Sequence, residues 1–154
     1  MSLYIKVKKT HPDAVIPDQK AGDVGWDLTT VEDGVIQPGK VTVAPTGLML
    51  AERPIANDIY NQILLKIEAR SGLASKHCVF PVGGIIDPSY RGEMGVMLYN
   101  GGDTPYEFKK GDRVAQIVVY EVHAKTMSNK TCFMEADTVR TSERGSKGFG
   151  SSGR

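Results

Sequence analysis

Cysteine and histidine, on which much redox and metal chemistry is built, are scarce here. There are two of the first, Cys78 and Cys132, and three of the second, His11, His77 and His123, among 154 residues. The cysteines stand in no CxxC or Cys/His ligand spacing, which argues against a disulfide framework and against structural zinc. One buried thiol and one surface or edge thiol are expected. The histidines form no HxxxH pair and read as structural. A charge of one sign is missing too: 19 Lys and Arg stand against 18 Asp and Glu, a net charge of +1, so no basic field exists to hold a nucleic-acid polymer. A small anion remains possible, because it needs only local donors. No apolar run approaches the roughly 18 residues of a membrane span, and Met1-Ser2-Leu3-Tyr4-Ile5-Lys6 lacks a signal peptide's apolar core. A soluble intracellular protein without membrane partners is expected, built as one domain around one core.

What is present is short alternation with period two. Tyr4 to Val7, Val41 to Ala44, Ile63 to Ala69, Gly95 to Tyr99 and Val114 to Val122 read as strands. Turn clusters separate them: Glu32-Asp33-Gly34, Gln37-Pro38-Gly39, Asn100-Gly101-Gly102-Asp103 and Lys109-Lys110-Gly111-Asp112. Many short strands punctuated in this way predict an all-β barrel or sandwich. Helix is expected in two places only, a turn or two over Pro54 to Tyr60 and a short helix starting at Ser71-Gly72-Leu73-Ala74, with Ser71 at or near the cap. A helix start there would present free backbone N–H groups to phosphate; the competing reading is an ordinary capped turn.

Two segments carry the chemistry. Val82 to Asn100 reads as a β-hairpin turning at Pro88-Ser89, with Gly84 and Gly95 in its arms leaving room for something to approach the backbone. A flat pyrimidine fits such a slot, and Asp87 at the end of the first arm is placed to hold an attacking water as general base. The same Asp87-Pro88-Ser89 is also a common turn with Asp as its capping residue. From Ser142 onward apolar periodicity stops, and residues 142–154 cannot hold themselves in a core. Composition alone reads them as linker. Against that stand Phe149 set among glycines, and arginines at 144 and 154, which suit a lid that wraps a nucleotide. The domain is therefore drawn as 1–141 with an arm at 142–154.

Read together, these segments resemble the trimeric dUTPase family in five motifs and in the family's order. Ala21-Gly22-Asp23-Val24-Gly25-Trp26-Asp27-Leu28 is similar to the first motif, with Trp26 where Tyr is usual. Ala69-Arg70-Ser71-Gly72-Leu73-Ala74 is similar to the second, Gly84-Ile85-Ile86-Asp87-Pro88-Ser89-Tyr90-Arg91-Gly92 to the third, and Gly111-Asp112-Arg113-Val114-Ala115-Gln116-Ile117 to the fourth. Residues 144–153 supply the fifth. The resemblance implies a jelly-roll-like β-barrel, a homotrimer with exchanged C-terminal arms, and hydrolysis of dUTP to dUMP and pyrophosphate. Such an activity limits uracil incorporation into DNA and supplies dUMP for dTTP synthesis, in the cytoplasm, or the nucleus of a eukaryotic or viral source.

It also implies roles. Asp87 would activate water for attack on the α-phosphorus, and Tyr90 would pack on the deoxyribose and exclude a 2′-hydroxyl. Backbone groups of Gly84, Ile85, Ile86, Gly95 and Met97 would read uracil. Arg70, Ser71, Gly72 and Gln116 would hold phosphates. Arg144 would reach the γ-phosphate, Phe149 would cover the uracil, and Gly150, Ser151 and Ser152 would close on the phosphate chain. Magnesium would be carried mainly by the phosphates and water, with Asp27 as the acid near it, through water; Asp27 reads equally as a turn residue before a strand. Ser89 and Lys147 depart from the family's usual residues, and residues 52–62 form a longer connection than usual. The related dCTP deaminases place a catalytic glutamate where Met97 stands, and a thioether cannot shuttle a proton.

Overall fold

The computed structural model describes residues 4–54, 61–123 and 138. The expected helix at 54–60, Cys132 and the whole arm 142–154 therefore lie, but for Pro54, outside the described residues. Within them the elements run β1 (Val7–Lys9), β2 (Trp26–Thr29), β3 (Gly34–Ile36), β4 (Val41–Ala44), β5 (Leu48–Leu50), β6 (Asn61–Glu68), α1 (Ser71–His77), β7 (Val79–Pro81), β8 (Ile85–Ile86), β9 (Val96–Asn100), β10 (Tyr106–Phe108) and β11 (Arg113–His123). The chain is nearly all β, as its alternation predicts.

The longest runs of alternation make the longest pairing. Ile63, Leu65 and Ile67 of β6 are buried while their neighbours 62, 64, 66 and 68 are half-buried, the mark of a strand with one face on the core. β6 lies antiparallel to β11 from Glu68↔Gln116 to Asn61↔His123. β2 flanks β11 and β8 flanks β6, giving the sheet β2-β11-β6-β8; β4-β9-β7 forms a second sheet, and β1-β5 and β3-β10 are two-stranded. The inward side chains meet in one apolar cluster that includes Leu28, Ile36, Leu48, Leu65, Leu98, Phe108 and Ile117. Burial of each such side chain contributes about 1.5–3 kcal/mol.

Buried polar groups are stitched into this core. Asn100 ends β9 at 1% exposure; its Nδ2 donates to the Ile36 and Thr104 carbonyls at 2.8 Å each, and its Oδ1 accepts from Gly102 N at 2.9 Å. Thr46 Oγ1 likewise donates to the Met94 carbonyl at 2.8 Å. The expected strand at 4–7 begins instead at Val7, paired with Leu50, and Tyr4 is 75% exposed. The turn at 109–112 closes as expected, with Gly111 at φ 91° and Asp112 N donating to the Lys109 carbonyl.

Candidate active site

Where β6 runs into α1, the ends of β2 and β11 leave a cleft of about 410 Å³. Its walls include Asp27 and Thr29 of β2, Arg70, Ser71 and Gly72 at the helix start, Arg113 and Gln116 of β11, and Lys20, Asp18 and Asp23 from the loop before β2. The first, second and fourth motifs thus converge on one place. Asp27 is the hub. Its Oδ1 accepts from Arg70 Nε and its Oδ2 from Arg113 Nη1, both at 3.0 Å, while Arg70 Nη1 donates to the Arg113 carbonyl at 3.1 Å. Gln116 Nε2 donates to the Ala69 carbonyl at 2.8 Å. Gly25 leaves room for this amide, because a Cβ there would lie 2.1 Å from Gln116 Oε1 and push the side chain aside.

Ser71 lies next to the cap, which is Arg70: Arg70 is extended (φ −86°, ψ 126°), no side-chain cap bond forms, and the Arg70 carbonyl accepts from Leu73 N and Ala74 N. Ser71 is the first helical residue, so its N–H and that of Gly72 belong to the turn whose donors have no intrahelical acceptor. Both residues are exposed and line the cleft, and nothing lies within 4 Å of a Cβ built on Gly72.

Arg113 lay inside the fourth motif but received no role from sequence. Strict alternation sends residues 113 and 116 to opposite faces of a strand. A β-bulge corrects this: between Arg113↔Thr29 and Ala115↔Leu28 β11 advances two residues while β2 advances one. Val114 and Ala115 are then both buried, and Arg113 and Gln116 both face the cleft. Bulges re-aim side chains in this way.

The segment Val82 to Asn100, which holds the third motif, forms a different shape from the simple hairpin expected. Only its base is paired, β7 on β9, with Val82 N donating to the Met97 carbonyl at 2.9 Å. Beyond it the arms part. Gly83 and Gly84 take φ 70° and 97°, values that glycine adopts without penalty, and send β8 across to β6. The other arm joins β5 through Met94 N to the Leu48 carbonyl. The close approach at Gly84 is made by the chain itself, since a Cβ there would lie 2.8 Å from the Ile67 carbonyl; at Gly95 it is made by Val43.

Asp87 stands exposed at the tip of the first arm, its carbonyl accepting from Tyr90 N at 3.0 Å. Tyr90 bends over Gly92, and its hydroxyl donates to the Glu93 carbonyl at 3.2 Å. Arg91 Nη1 donates to the Pro88 and Tyr90 carbonyls, tying the turn. Ile85, Tyr90 and Met97 are left 63%, 44% and 43% exposed around the mouth. Among the described residues the mouth and the cleft are separate: none of Gly84, Ile85, Ile86, Asp87, Tyr90, Gly95 or Met97 lines the cleft. Arg144, Phe149, Gly150, Ser151 and Ser152 lie outside the described residues.

No group of three His, Cys, Asp or Glu side chains gathers as a metal cage among the described residues. Each Asp27 oxygen accepts one guanidinium bond and keeps one lone-pair site for a further donor or ion. Cys78 is exposed, and Cys132 lies outside the described residues.

A β scaffold that gathers two arginines, a glutamine amide and a helix start around a polar cleft has the chemistry to suit small organic anions of the phosphate class. Residues 12–153 match the dUTPase family. The deoxyuridine 5'-triphosphate nucleotidohydrolase of Picosynechococcus is 40% identical over 154 residues, 98% of this chain and 99% of that protein. The Staphylococcus bacteriophage 80alpha dUTPase, solved with dUpNHpp, matches at a TM-score of 0.75 and 25% identity over 98% of this chain and 99% of its own. A mutant dUTPase from phage phi11 of S. aureus, solved with a coordinated structural Mg(II) ion, has the same fold at a TM-score of 0.67 and 20% identity, over 87% of this chain and 98% of its own. The chain belongs to the dUTPase family and is a hydrolase of that family.

Proposed function

We propose that the chain hydrolyses dUTP to dUMP and pyrophosphate, with Asp87 holding a water for in-line attack on the α-phosphorus. The observation that carries this reading is the turn at 87–93. It keeps a carboxylate in solvent and, three residues on, a phenol ring pinned by its own hydroxyl. A general base needs to reach water and substrate together, and a fixed ring against the deoxyribose leaves no space for a 2′-hydroxyl. Uracil enters the mouth and is read by main-chain groups of Gly84, Ile85, Ile86, Gly95 and Met97. The phosphates lie in the cleft on Arg70, Ser71, Gly72 and Gln116. Asp27 would hold magnesium, through water, and the ion would supply neutralisation of phosphate charge. Rate then comes from positioning and electrostatics.

The separation of mouth and cleft within one chain supports a site shared between copies. We read the assembly as a homotrimer in which the arm 142–154 of one subunit completes a neighbour's site: Arg144 on the γ-phosphate, Phe149 over uracil, and Gly150, Ser151 and Ser152 on the phosphate chain. Its cellular task is to limit uracil in DNA and to supply dUMP, in the cytoplasm or, in a eukaryotic or viral setting, the nucleus. No helix among the described residues is long and apolar enough to cross a membrane.

A nucleotide panel with pyrophosphate detection tests the activity, with turnover of dUTP far above dTTP, dCTP and UTP as the expected result. Ammonia release from dCTP at a rate comparable with any dUTP turnover would overturn the reading.

A further inference from the structure

The ion-pair triad in the cleft contains one member that the phosphate-binding reading does not use. Arg70 is oriented by two contacts, Asp27 Oδ1 through Nε and the Arg113 carbonyl through Nη1. Among the described residues its remaining N–H donors meet no partner, which leaves them to a phosphate. The Asp27 carboxylate that aims it is in turn held on its other oxygen by Arg113 Nη1 at 3.0 Å. The bulge before Ala115 brings Arg113 onto this carboxylate while keeping Gln116 in the cleft. Without Arg113, Asp27 has a single cation to satisfy and is free to rotate with it. With Arg113 in place, the carboxylate stays fixed when Arg70 shares its donors with an incoming anion.

We propose that Arg113 is a positioning residue of the site. It acts on the triphosphate through Asp27, by locking the carboxylate that orients the Arg70 guanidinium, and not as a phosphate ligand itself. The proposal rests on the reading of Arg70 as a phosphate-binding residue. It has a signature that direct contact lacks, because an effect transmitted through Asp27 disappears once Asp27 is changed.

The test is a double-mutant cycle on the full-length protein, with dUTP turnover and calorimetric binding of dUpNHpp as readouts. Arg113→Ala is expected to raise KM for dUTP and Kd for dUpNHpp about tenfold, with kcat altered less than about threefold. In an Asp27→Asn background the same change should alter either constant less than about twofold. Arg113→Lys, which keeps the cation and loses the planar fork, should recover about half of the loss on a logarithmic scale. Arg113 is half-exposed, its side chain at 50%, so the variants should match the parent's urea midpoint, and that match separates positioning from misfolding. A full tenfold loss in both backgrounds would overturn the proposal in favour of direct phosphate contact, and parental KM and Kd in Arg113→Ala would overturn it outright. If the parent turns over no dUTP, it is the functional reading that fails, and dUpNHpp binding still decides the coupling.

Discussion

Replacing Gly92 with alanine isolates the proposed sugar selection from everything else in the fold. A Cβ at position 92 would lie 2.3 Å from the Tyr90 hydroxyl oxygen, 2.5 Å from Cζ and 2.9 Å from Cε2. Ordinary contact begins at 3.4 Å, so the ring tip has to move by about 1 Å and break its hydrogen bond to the Glu93 carbonyl. Gly92 does not need a left-handed backbone, and Tyr90 is on the surface. The stability cost should therefore stay within about 1 kcal/mol, most of it the lost hydroxyl bond. The functional cost should be much larger, since a misplacement of about 1 Å in a positioning group is worth up to about a hundredfold. We expect kcat/KM for dUTP to fall about 30-fold and the preference for dUTP over UTP to drop at least about tenfold. The assay is kcat/KM for both nucleotides, with Tyr90→Phe as control: the ring stays, the anchor goes, and the loss should be under about threefold. An unchanged dUTP-to-UTP ratio in Gly92→Ala, with the urea midpoint preserved, would refute the assignment of Tyr90 as the sugar gauge.

Asp87→Asn should keep dUpNHpp affinity within about tenfold and lower turnover more than about a hundredfold; equal turnover would remove Asp87 as the base. Gly84→Ala forces φ 97° on an L side chain and sets its Cβ 2.8 Å from the Ile67 carbonyl, so urea unfolding should show a loss of about 2–4 kcal/mol from backbone strain and the weakened β6–β8 contact. The Asp33 carboxyl is held below its ordinary 3.8 chiefly by the Lys110 backbone N–H and, after that, by the Lys109 ammonium. Asp13 is lowered by its bond to the Lys110 side chain. Both contributions are present above the unfolded value and are lost as pH falls through the depressed folded values. Urea midpoints followed from pH 5 down to about pH 2.5 should therefore decline less in Asp33→Asn than in the parent, while an identical decline would mean that the bond does not couple to folding.

The all-β class was legible because alternation over Val41–Ala44, 63–69 and 114–122 needs no partner to be seen. The three-residue strands Gly34–Ile36, Leu48–Leu50 and Tyr106–Phe108 were not, because two or three residues carry no period and only the pairing strand makes them β. The cleft was legible through its motifs, which named Arg70, Ser71, Gly72, Gln116 and Asp27. Arg113 stands in the same motif with no legible role, since a bulge depends on the register against β2 and leaves no mark in the residues of β11 alone.

By itself, the sequence determined the class of fold, the family and most of the residues gathered in the cleft, because motif residues and short-range periodicity are local properties. The tertiary structure decided how those residues face one another: the Arg70–Asp27–Arg113 triad, the choice of Arg70 as the helix cap, and the division of the Val82–Asn100 segment between two sheets beyond Gly83 and Gly84. Each of these depends on which strands lie side by side, with residues 43 to 86 positions apart in the chain meeting within hydrogen-bond distance, and pairing at that range is fixed by the core as a whole.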